Sequence, residues 1–105
     1  MTVLDKNSFK KISENPIILD FSLCKTLEDI HFILKEKFGL PEYYGKNLDA
    51  IWDLLCDIFS EGKNYVVEIY GYNKLERNLR DYCSGLLSVF NDISTEYSSV
   101  VFKVI

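Results

Sequence analysis

Asp49, Asp53 and Asp57 recur at i, i+4 and i+8, a spacing that lines three carboxylates along one face of a helix. Two such acids could work as an acid and base pair or hold a magnesium ion. Three in a row could also meet a cationic partner. The catalytic reading needs a third ligand or a deep pocket, and neither is suggested by one short helix in a chain of 105 residues. No phosphate loop, dinucleotide fingerprint, His-Glu-x-x-His site or nucleophile elbow is present. His31 is the only histidine, and it sits on or beside the apolar stripe of an earlier helix, which predicts an ordinary boundary residue. The residues therefore call for no cofactor, no metal and no catalytic group.

Like charges at i, i+4 destabilise a helix by roughly 0.2 to 0.5 kcal/mol per pair, and no lysine or arginine is spaced to relieve Asp53. A position near the helix N-terminus accounts for Asp49, which gains from the helix dipole. It does not account for Asp53 or Asp57. Between residues 41 and 61 five carboxylates face only Lys46, so this segment carries −4, the net charge of the whole chain. That balance argues against direct nucleic-acid binding, which needs clustered cations, and favours a basic protein as partner. Tyr43, Tyr44 and Gly45 precede the stripe and place aromatic anchors beside it. From spacing alone, a solvated acidic face and an interaction face both remain open.

The elements that must position these residues follow from periodicity. Ile17 to Phe21 is a short apolar run after Asn15-Pro16 and reads as a buried strand. Thr26-Leu27-Glu28-Asp29 resembles a capping box, and Leu27, Ile30, Leu34 and Phe38 continue as a helical stripe that Gly39 and Pro41 end. Asn47 is placed to cap the acidic helix, with Leu48, Ile51, Trp52, Leu55 and Phe59 on its buried side. Tyr65 to Tyr70 and Val100 to Ile105 are rich in β-branched and aromatic residues and read as strands. Between them a third helix is expected to start at Asn73, with Gly85 and Ser84 loosening or bending it.

The order strand, helix, helix, strand, helix, strand predicts an α/β fold with a three-stranded parallel sheet. Residues 1–16 read as an N-terminal extension whose Val3, Leu4, Phe9 and Ile12 pack locally, and residues 17–105 as one domain. Three widely spaced cysteines, Cys24, Cys56 and Cys83, suit neither a disulfide framework nor a metal motif and predict reduced thiols in a cytoplasmic protein. No apolar run approaches the ~20 residues needed to span a bilayer, so no membrane association is expected.

Leu40-Pro41-Glu42-Tyr43-Tyr44-Gly45-Lys46-Asn47-Leu48-Asp49-Ala50-Ile51-Trp52-Asp53 closely resembles the signature of the barstar family, with Ile51 at a usual leucine. The resemblance covers about residues 17 to 105. It implies a cytoplasmic protein, a monomer when free, that inhibits a basic, secreted or toxin ribonuclease of the bacterial barnase type by plugging its active site. It also implies roles for single residues. Tyr43 corresponds to the aromatic that packs against the nuclease's catalytic groups, and Asp49 and Asp53 to carboxylates that meet its basic residues. Asp53 takes the place of a substrate phosphate, Trp52 matches a supporting tryptophan, and Asp92 aligns with a family glutamate that touches the nuclease. Cys56, Asp57 and Ile58 depart from the family's Thr, Gly and Trp, which leaves a non-ribonuclease partner as the alternative.

Overall fold

The computed structural model describes residues 14–41 and 47–105. Its elements are β1 (Ile17–Asp20), α1 (Leu27–Phe38), α2 (Leu48–Phe59), β2 (Tyr65–Tyr70), a 3-10 turn (Tyr72–Lys74), α3 (Arg77–Glu96) and β3 (Val100–Val104). The strands form one parallel sheet in the order β1-β2-β3, with Ile17 opposite Val67 and Val67 opposite Phe102. This is the α/β architecture expected from the element order.

Two successive right-handed crossovers in one direction place all the helices over the same side of such a sheet. The burial pattern agrees. Ile17, Leu19, Val67, Ile69 and Val100 are buried, whereas the alternating positions Asp20, Val101 and Lys103 are exposed. Against the inner face pack Ile30, Leu34 and Phe38 from α1, Ile51, Leu55 and Phe59 from α2, and Leu79, Cys83, Leu86, Phe90 and Ile93 from α3. Aromatic rings join the layers: Phe90 stacks on Phe102 with centroids 4.4 Å apart, and Phe59 meets both Phe38 and Phe102 edge-on.

Local chemistry explains the helix ends. The Thr26 side chain accepts the Asp29 N–H, and the Asp29 carboxylate accepts the N–H groups of Thr26 and Lys25, closing the capping box. Gly39 ends α1 in the left-handed region at φ 66°. The third helix departs from expectation. Tyr72–Lys74 forms a 3-10 turn, Leu75 is buried after it, and α3 begins at Arg77, with Glu76 at its N-cap making no side-chain cap bond. Asn73 is therefore not the cap.

Gly71 starts that turn at φ 79°, where a Cβ would collide with the Ser22 nitrogen, so the two loops meet only because the side chain is absent. Gly85 and Ser84 do not interrupt α3, which runs unbroken to Glu96. Gly85 instead makes room for a neighbour, since a Cβ there would meet Leu48 Cδ1 at 3.1 Å.

Candidate partner-binding site

The acidic stripe rests on α2, which Asn47 starts: its Oδ1 accepts the Ala50 N–H at 2.8 Å. Ile51, Leu55 and Phe59 are at most 1% exposed and fix which side of α2 faces the core. The opposite side is then set by geometry, and Asp49, Asp53 and Asp57 are all exposed along it. No described lysine or arginine forms an ion pair with any of the three. The last turn of α2 carries no basic residue, and Ser60 closes it by donating its hydroxyl to the Asp57 carbonyl.

The other expected contact residues fall into three groups. Trp52 is half-buried against the core, so its ring supports the helix from the side. Asp92 is exposed on α3, as is Glu96 one turn later. Tyr43, Tyr44 and Gly45 lie outside the described residues.

The fold brings a feature to this surface that sequence spacing does not reveal. Tyr97, the C-cap of α3, lies close enough to Cys56 of α2 for each side chain to shift the titration of the other. Partial burial pushes the Cys56 thiol above its ordinary pKa, the Tyr97 hydroxyl opposes this, and the charges of Asp53, Asp57 and Glu96 raise it further. The Tyr97 phenol is raised as well, by desolvation first and then by Cys56, Glu96 and Asp57. Carboxylates of two helices thus converge on one seam. Nothing local in the sequence links Tyr97 to Cys56, because the contact depends on how α3 crosses α2.

His31 is not a boundary residue. It is 4% exposed, and its Nε2 lies 3.2 Å from the Tyr82 hydroxyl, with the rings edge to face at 5.6 Å. The imidazole ties α1 to α3. All three cysteines are free thiols, and burial pushes Cys24 and Cys83 up to about 11. Among the described residues no group of three His, Cys, Asp or Glu side chains is arranged to hold a metal ion, and no helix is long and apolar enough to cross a membrane.

Comparison with known proteins agrees with this architecture. Residues 15–105 match the family described as Barstar (barnase inhibitor). A protein of Bacillus subtilis (strain 168) named "Putative ribonuclease inhibitor YrdF" is 32% identical over 89 residues, which span 85% of this chain and 94% of that relative. The match takes in all three strands and the acidic helix between the first two. The chain belongs to the barstar family.

Proposed function

We propose that this protein is a non-catalytic inhibitor that blocks the active site of a basic ribonuclease with the outer face of α2. The observation that carries this reading is the exposed row Asp49, Asp53 and Asp57, held without a described cationic partner on a helix whose other side is locked in the core. A ribonuclease site must hold cations for RNA phosphates, so a row of carboxylates fits it by substituting for that charge. Asp53 stands in for the phosphate at the centre of the row, with Asp49 and Asp57 one turn to either side and Asp92 contributed by α3. Asn47 sets the helix start, Trp52 supports the helix, and Tyr43, Tyr44 and Gly45, which precede the helix in sequence, add contacts to the partner.

The family match to a barnase inhibitor and the relative named as a ribonuclease inhibitor support the partner class. Opposite fields also speed encounter, so association is expected to slow as salt rises. A titration of RNA cleavage against inhibitor tests the assignment. Asp53→Ala is expected to weaken inhibition by at least about 30-fold, the scale of an interface hot spot, and Glu28→Ala to leave it unchanged. Equal effects of the two substitutions would remove Asp53 from the role.

A second reading keeps the scaffold and changes the partner. It is favoured by Cys56, Asp57 and Ile58, which differ from the family's Thr, Gly and Trp, and by Tyr97 close beside Cys56. Co-purification of a partner that is not a nuclease would support it.

A further inference from the structure

α3 carries a glycine where its own backbone has no need of one. Gly85 lies midway along an unbroken 20-residue helix, and it is not among the glycines in the left-handed region, Gly39, Gly62 and Gly71. In a helix interior glycine is the poorest residue after proline, because it loses the most backbone freedom. Alanine would serve α3 better. What the missing Cβ admits is a side chain of another helix. A Cβ on Gly85 would meet Leu48 Cδ1 at 3.1 Å, inside the usual carbon-to-carbon separation of about 3.5 to 4.0 Å.

Leu48 is poorly placed to withdraw. It is the first residue of α2, directly after the Asn47 cap that holds the Ala50 N–H, and its side chain is half-buried against the core. Asp49 follows it as the first carboxylate of the stripe. On α3, seven residues bring Asp92 back to within about 20° of the Gly85 direction, two turns farther along the same face. The two helices pack side by side and run the same way, with Leu48 next to Gly85 at the start of α2 and Cys56 next to Tyr97 toward its end. The close passage at Gly85 therefore sets the start of the stripe against the face of α3 that carries Asp92.

We propose that Gly85 is a positioning residue: the room it leaves for Leu48 seats the first turn of α2, and so fixes Asp49 relative to Asp92 in the surface offered to the ribonuclease. The proposal rests on the reading of that surface as an inhibitor face. Gly85 acts through Leu48 and brings no charge of its own. Adding a Cβ there forces the neighbour to give by a few tenths of an ångström, which displaces Asp49 and leaves Asp57, at the other end of α2, in place.

Two measurements on the full chain test this. The first needs no nuclease. In Gly85→Ala the residual dipolar couplings of the amides of residues 48–51 are expected to change relative to those of α3, and those of residues 56–59 to stay. Adding Leu48→Val, which removes the Cδ methyls, is expected to restore the first set. The urea midpoint of Gly85→Ala is expected not to fall, since alanine favours the helix. The second measurement is a titration of RNA cleavage by barnase. Gly85→Ala is expected to weaken inhibition about three- to tenfold, and Leu48→Val to recover it in the same background. Asp49→Ala is expected to cost less inhibition in Gly85→Ala than in the unsubstituted chain, whereas Asp57→Ala costs the same in both. A merely structural loss would lower the midpoint and affect Asp49 and Asp57 alike.

Unchanged couplings in Gly85→Ala would overturn the proposal, as would a fallen midpoint without rescue by Leu48→Val. Full inhibition by Gly85→Ala, with Asp53→Ala impaired, would also overturn it and leave the inhibitor face standing. If Asp53→Ala inhibits no worse than the unsubstituted chain, the inhibitor reading itself fails, and the positioning role falls with it.

Discussion

α1 and α2 are helices of equal length in the same layer, and their charges are arranged in opposite ways. α1 has Glu28 and Asp29 in its first turn and Lys35 and Lys37 in its last, so its charges largely follow the helix dipole, with Glu36 between the two lysines the exception. Its Asp29 also closes a capping box. α2 has Asp49 in its first turn, then Asp53 and Asp57 along its middle and end, and no basic residue in its last turn. The outer face of α1 is built to stabilise α1. The outer face of α2 is built against the stability of α2, and an external cationic partner is what would give that arrangement a use.

If the difference lies on the outer faces, the inner faces should respond alike. Leu34 of α1 and Leu55 of α2 are both fully buried, so Leu34→Ala and Leu55→Ala are each expected to cost about 2 to 5 kcal/mol in urea unfolding. A much smaller loss at Leu55 would mean that α2 is not anchored in the core, and the stripe would lose its fixed orientation.

The caps come next in size. Thr26→Ala is expected to cost about 1 kcal/mol and to leave inhibition unchanged, because the box it breaks serves α1 alone. Acid should act through the same box. The N–H of Lys25, then that of Thr26, hold Asp29 below its ordinary pKa. A depressed folded pKa means that its stabilisation is complete above the unfolded value of about 4 and is lost as pH falls through the folded one. Asp29→Asn is therefore expected to be less stable at neutral pH and to lose less on acidification below about pH 4, as read from urea midpoints. An unchanged slope would remove Asp29 from the acid response.

The contrast between the two helices also explains what could be read from sequence. Thr26, Asp29, Gly39 and Asn47 act through bonds to residues at most four positions away, so their roles were legible in the chain itself. The stripe of Asp49, Asp53 and Asp57 was legible for the same reason. Asn73 misled because a capping residue also suits a 3-10 turn, and the choice was made by the buried Leu75 and the tight passage of Gly71 over Ser22. Spacing could not place Tyr97 beside Cys56, or bury His31 against Tyr82, since both contacts join different helices. Asn15 looked like part of an extension, yet its side chain is bonded into the start of β2.

The most direct test is one substitution with two readouts of opposite sign. Asp53 belongs to both like-charge pairs of α2, so Asp53→Asn removes both while keeping the shape of the side chain. The expected result is a stability gain of about 0.4 to 1 kcal/mol at low salt, together with a loss of ribonuclease inhibition. Unchanged inhibition, or stability and inhibition falling together, would contradict the claim that this face is kept for a partner at the expense of the fold.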